Sequence, residues 1–273
     1  MRISLLLLPL LLAGRPQAWA QTDLAPSEAS AHVASTEEAD ERQTLRRAQE
    51  LVLARRYESA WKLLHAADPR NRRVAVVLRK ADLALNYYTA TEGLHHFAFQ
   101  DLKLLDPSLD SLRQVPQKVL PYAFAVRQVL DSLHQQQPDN YKLDRALGDY
   151  YFTAQQCDCA EASLEEDEVF RRIIRHYQAA HDHGQGDYLS YYALGYAHQR
   201  LGQFLESLVP FRRSLELRPN YPYTHLNLAF VLLELKDYPG ARVHARRAQE
   251  LFPDAQHKED AAYLLSQIEE RMK

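Results

Sequence analysis

The chain has 273 residues, with 33 Lys and Arg against 36 Asp and Glu and a formal net charge of −3. That near balance argues against a general nucleic-acid binder, which carries a basic stripe. Two cysteines are too few for a disulfide scaffold. The arginine groups Arg70, Arg72, Arg73 and Arg242, Arg246, Arg247 read as solvated helix faces.

Met1–Ala20 has the form of a secretory signal peptide. Arg2 supplies the short positive region, Ile3–Leu12 the apolar region, and Ala18-Trp19-Ala20 an A-x-A cleavage site before Gln21. An apolar run of that length does not span a bilayer, and no later run is longer. The expectation is an exported protein, periplasmic or secreted, with no integral span after cleavage. Gln21–Asp40 is rich in Ala, Ser, Thr and Glu, shows no apolar stripe at helical spacing, and is expected to be a disordered leader.

Helical periodicity begins near Arg42. Leu45, Ala48, Leu51 and Val52 form one face, and Tyr57, Ala60, Leu64 and Ala67 form a second, closed by Asp68-Pro69. Val74, Val77, Leu78, Ala81 and Leu85 start a further pair. Its partner helix is expected over Gly93–Leu105, with Phe97, Leu102 and Leu105 apolar and Asp106-Pro107 as the stop. Pro116 and Pro121 interrupt the next stretch, after which Phe124, Val126, Val129, Leu130 and Leu133 predict a helix over Tyr122–Gln136.

From Tyr141 the pattern sharpens. Asp144-x2-Leu147-Gly148-x2-Tyr151 opens one unit (141–187), whose second helix carries Phe170, Ile173, Ile174, Tyr177 and Ala180. Between the two helices lies an insertion around 155–167. Tyr191-x2-Leu194-Gly195-x2-His198, Gly202, Phe204, Ser207-x3-Phe211, Ser214 and Pro219 make the next (188–221). His225-x2-Leu228-Ala229-x2-Leu232, Tyr238, Ala241-x3-Ala245, Ala248 and Pro253 repeat it 34 residues later (222–255). Gly195, Ala229, Ser207 and Ala241 are small where two helices cross, and the prolines end the second helix. After Pro253, Ala261, Leu264, Leu265 and Ile268 place a capping helix over 257–272, with a polar outer side to close the array. These motifs resemble the tetratricopeptide repeat (TPR). The resemblance implies an all-α, right-handed α-solenoid of five to six helix pairs over 41–272.

In that family the first helix of each pair lines a concave face. Carried onto this chain, the corresponding positions are Leu189, Tyr192, Tyr196, Gln199 and Arg200, then Tyr223, Leu226, Phe230, Leu233 and Glu234. In the inserted unit they are Lys142, Arg145, Asp149, Phe152 and Thr153. The partner-binding residues implied are Tyr192, Tyr196, Gln199, Arg200, Tyr223, Phe230 and Glu234, since rigid aromatics dominate interface energetics. A carboxylate-clamp variant of the family does not fit. Asn227 has a suitable place, but Tyr192 and Tyr196 stand where the clamp needs Lys and Asn.

The insertion holds Cys157-Asp158-Cys159. It reads as an acidic loop with incidental or locally oxidised cysteines, as a redox pair without C-x-x-C spacing, or as a metal site shared with His176, His181 and His183. No nucleophile elbow, zincin, phosphate-binding or dinucleotide-binding motif occurs. The function implied is a non-enzymatic exported scaffold, without cofactor, that binds a protein or peptide. Two alternatives remain open: a periplasmic module of polysaccharide export or envelope assembly, and a thiol or metal protein acting through the cysteine loop.

Overall fold

The computed structural model describes residues 28–157, 159 and 164–273, with side chains from Glu37 onward. Residues 1–20, expected to be a signal peptide, lie outside the described residues. The chain divides into two units, 1–40 and 41–273. Helix α1 spans Glu28–Leu53, so the segment expected to be a disordered leader is helical from Glu28. Its Ala and Glu residues are strong helix formers, and propensity alone does not require an apolar stripe.

The larger unit continues with α2 (Tyr57–Ala67) and α3 (Val74–Asn86), and then departs from the helical pattern. Strands β1 (Ala90–Glu92), β2 (His96–Ala98) and β3 (Tyr122–Ala123) form an antiparallel sheet in the order β1-β2-β3, with Ala90 opposite Ala98 and His96 opposite Ala123. The short helix α4 (Leu109–Arg113) lies between β2 and β3, and α5 covers Val126–Gln136. The helix expected over Gly93–Leu105 is therefore absent, and the one expected from Tyr122 begins at Val126.

The turn chemistry explains the difference. Gly93 and Leu94 both have positive φ, +55° and +57°, and His95 N–H donates to Glu92 C=O at 3.1 Å. Two consecutive left-handed residues are the pattern of a hairpin turn. Beyond the hairpin, Leu105 is 96% exposed, while Phe97 and Phe99 are buried. The loop after β2 is tied to the α1–α2 turn. Arg55 donates to the carbonyls of Lys103 at 3.0 Å and Leu104 at 3.4 Å, and Asp101 accepts from Ser59 N–H at 2.9 Å.

Trp61 is the centre of this half. Its ring stacks on Phe99 at 4.9 Å and meets Phe124 at 5.4 Å and Tyr122 at 5.9 Å. The buried Lys80 ammonium lies 5.4 Å from the Trp61 ring and 5.2 Å from Phe124. It donates to Asp68 C=O at 3.2 Å and to Asn71 Oδ1. Burial lowers its pKa to about 8.

The remaining helices run in regular succession: α6 (Tyr141–Gln156), α7 (Glu166–Asp182), α8 (Tyr188–Arg200), α9 (Phe204–Leu217), α10 (Pro222–Glu234), α11 (Tyr238–Leu251) and α12 (Ala255–Arg271). They pack as α6 on α7, α8 on α9 and α10 on α11, with α12 against α11 and α10. The crossings are set by small residues. A Cβ on Gly148 would lie 2.6 Å from the Tyr177 ring, and one on Gly195 would lie 2.7 Å from Phe211. At the third pair the equivalent positions are Ala229 and Ala245, both fully buried in one core cluster.

The extra residues of the first pair are shared between loop and helices. Helices α6 and α7 have 16 and 17 residues, against 13 and 14 in α8 and α9. Side chains close the helix ends. Asp187 and Ser190 form a reciprocal capping box at α8, and Asp254 accepts from His257 N–H at α12. Among the described residues, no helix is long and apolar enough to cross a membrane.

Candidate functional site

The first helices α6, α8 and α10 present the residues singled out by the repeat pattern. On α8, Tyr192 is half-buried in an aromatic band. Its ring lies 5.4 Å from Tyr221, 6.2 Å from Tyr196, Phe152 and Phe211, and 6.5 Å from Tyr223. Burial, reinforced by the neighbouring tyrosine hydroxyls, raises its phenol pKa far above the ordinary value. Tyr223 reaches past the band to Phe252 at 5.0 Å and His257 at 5.3 Å. These tyrosines therefore hold one repeat against the next as well as lining a surface.

Arg200 is anchored back to the preceding pair. It donates to Tyr196 Oη at 2.9 Å and to Glu166 at 2.6 Å, and its guanidinium sits 5.1 Å from the Phe170 ring. Its hydrogen bond to Tyr196 leads the causes that raise its pKa. Gln199 is half-buried, and its Oε1 is enclosed without a hydrogen-bond partner among the described residues. Phe230 is 37% exposed and, among the aromatic rings of the described residues, meets only Phe204, at 6.1 Å; Glu234 is exposed. The structure thus links Tyr192, Tyr196, Arg200 and Tyr223 through ring contacts and a hydrogen bond, while Gln199 lies on α8 with no hydrogen bond to them among the described residues. Phe230 and Glu234 stand apart, further along α10.

A second feature lies on α6, at the same repeat positions. Arg145 donates through Nε to Asp149 at 3.0 Å, through Nη1 to Gln185 C=O at 3.2 Å and through Nη2 to Asp187 at 3.0 Å. Tyr177 Oη donates to Asp149 at 2.8 Å. Burial raises the Asp149 pKa, against the pull of Arg145. Burial works the other way on Arg145, but Asp149, Tyr177 and Asp187 outweigh it and hold the cation.

This network borders a cavity of about 670 Å³ shared by α3, α4, α6 and the start of α8. The residue pattern placed Arg145, Asp149, Phe152 and Thr153 on the same face as Tyr192. It did not place Asp82, Tyr87, Tyr88 or Arg113 opposite them, because those come from the irregular half.

Cys157 and Cys159 are joined as a disulfide. The three histidines considered with them are engaged elsewhere: His176 with Asp144 at 2.9 Å, His181 with Ser190 at 2.9 Å, and His183 with Ala179 C=O at 2.9 Å. Among the described residues, no group of three or more His, Cys, Asp and Glu side chains is arranged to hold a metal ion.

With this geometry in place, the chain was compared with known proteins. No protein-family model and no curated protein matches it. Among solved structures it is similar to a point mutant of MamA, with 18% identity, a TM-score of 0.50, and coverage of 79% of this chain and 99% of that one. It is also similar to a thermophilic TPR protein of Thermus thermophilus, with 15% identity, a TM-score of 0.48, and coverage of 82% of this chain and 98% of that one. The protein has a TPR-like fold, an all-α helical solenoid.

Proposed function

We propose that the protein is an exported, non-enzymatic scaffold that binds an extended segment of a partner protein along the face formed by α6, α8 and α10. The observation that carries this is the continuity of that face. One aromatic band from Phe152 through Tyr192 and Tyr196 to Tyr223 adjoins a cavity at its α6 end. Aromatic side chains on a rigid helical frame give large contact area at low entropic cost. Export rests on the form of Met1–Ala20, and the mature protein should begin at Gln21. N-terminal sequencing of the protein from its own cells tests that, and a retained Met1 would refute it.

The binding face is tested by site-specific photocrosslinking in an envelope extract. Crosslinkers at Thr153 and Phe230 should capture the same protein, and one at Val243, exposed on α11, should not. Capture from Val243 alone would move the site off this face. Retention of the protein on a polysaccharide column, with no crosslinked protein, would favour the polymer-associated reading instead.

A further inference from the structure

The cavity on α6 differs from the aromatic band in its hydrogen-bonding capacity. Two guanidiniums border it, and every nitrogen of both already donates within the protein. Arg145 is bonded to Asp149, Gln185 and Asp187. Arg113 donates to Tyr88 C=O at 3.1 Å, to Asn86 C=O at 2.8 Å and to Asp110 at 3.1 Å. Each terminal nitrogen keeps a second N–H, but both guanidinium charges are already met by carboxylates, Arg145 by Asp149 and Asp187 and Arg113 by Asp110.

The acceptors are in surplus. Three carboxylates, Asp82, Asp149 and Asp187, line the cavity against those two cations. Each ionised carboxylate offers about four acceptor positions. Among the described residues, the Asp82 carboxylate receives only Asn86 Nδ2 at 3.0 Å and Arg79 at 3.3 Å, and its side chain is 42% exposed. Apolar ring surface completes the wall through Tyr87, Tyr88 and Phe152. Paired guanidiniums, spare carboxylate oxygens and aromatic faces favour a cation that brings its own N–H groups. A planar guanidinium meets both demands, pairing with a carboxylate and stacking on a ring.

We propose that this cavity is the anchoring subsite of the binding face and takes a basic side chain, arginine or lysine, of the bound partner segment. The proposal rests on the peptide-binding reading above and adds its charge preference. An acidic side chain is disfavoured there, because it would face three carboxylates and two guanidiniums already paired with carboxylates.

The test uses the mature protein and four fluorescein-labelled nonapeptides of Gly and Ser that differ only at the central residue: Arg, Lys, Gln or Glu. Fluorescence anisotropy should rank Arg and Lys about tenfold tighter than Gln, with Glu weakest, and the advantage should shrink as salt rises. Asp82→Asn removes an exposed charge and leaves the Arg145 network intact. It should cost the Arg peptide about three- to tenfold and leave the Gln peptide unchanged. Equal affinities for all four peptides, including no binding to millimolar concentration, overturn the proposal, as does an Asp82→Asn effect of the same size on Arg and Gln. Crosslinking at Thr153 and Phe230 separates the two readings. If it captures a partner while the peptides show no charge preference, the subsite fails and the binding face stands. If capture comes from Val243 alone, both fail.

Discussion

The two halves of the larger unit reach a buried core by different routes. From α6 to α11 each helix pair is set by residues close in sequence, Gly148 against Tyr177 and Gly195 against Phe211, with Ala229 and Ala245 buried at the equivalent positions of the third pair. From α2 to α5 the core is settled by one large ring, Trp61, which gathers Phe99, Tyr122 and Phe124 across a sheet and two loops. The first arrangement is modular, since each pair needs only its neighbours. The second depends on contacts closed over long loops, so it stands or falls as one piece. A repeat array can thus carry an irregular unit, provided that unit builds its own core.

The largest expected effect is Trp61→Ala, at about 3–5 kcal/mol for an emptied aromatic site. Hydrogen exchange should accelerate across 57–136 and remain slow in α8–α11. Equal acceleration throughout would show that the halves are not separable. Gly195→Leu should cost about 1–3 kcal/mol or more, because the side chain meets the Phe211 ring. Its exchange should rise in α8 and α9 first, and an unchanged melting curve would contradict the crossing assigned here.

The halves should also answer pH in opposite ranges. In the array, burial lowers His181 and His244 from 6.5 to about 4. The unfolded chain then binds more protons between those values, so stability is full above pH 6.5 and falls as pH drops toward 4. A loss of roughly 1 kcal/mol per histidine by pH 5, after allowance for partial exposure, should appear as a melting temperature a few degrees lower. His181→Gln with His244→Gln should flatten that dependence.

In the irregular half, Lys80 is lowered from 10.5 to about 8, again by burial. Its penalty is present below pH 8 and is relieved as pH rises toward 10.5. Lys80→Met should remove this alkaline gain, and a profile unchanged by the substitution would show that Lys80 is not its source.

The smallest effect concerns the helix ends. Gly202 has φ +71° after α8, and Lys236 occupies the equivalent place after α10 with φ +64°. Only glycine adopts that region without a Cβ penalty, so Gly202→Ala should destabilise and Lys236→Gly should stabilise, each by about 1 kcal/mol. Chemical denaturation of both variants measures the difference, and equal midpoints would mean the turns relax.

The candidate face was partly readable from residue order. The 34-residue spacing brings Tyr192 and Leu226, and Tyr196 and Phe230, to equivalent places, and the repeat positions of the inserted unit mark Arg145 and Asp149 on α6. It did not show that Tyr192 is half-buried against Tyr221 and Phe211, because ring packing depends on the angle between successive pairs. Nor did it show that Phe230 and Glu234 stand away from the tyrosine band. The expected helix over Gly93–Leu105 failed because Phe97, Leu102 and Leu105 suit a helical spacing, while the turn at Gly93-Leu94 and pairing with Tyr122 and Ala123 favour strands.

What residue order alone determined is the helical array from Tyr141 onward, since small residues, caps and breakers act within one repeat and carry their meaning locally. What only the tertiary structure decided is the sheet beside Trp61, and the cavity that brings Asp82 and Tyr87 opposite Arg145 and Asp149. Those groups are far apart along the chain, and no local preference of the backbone fixes where distant segments meet.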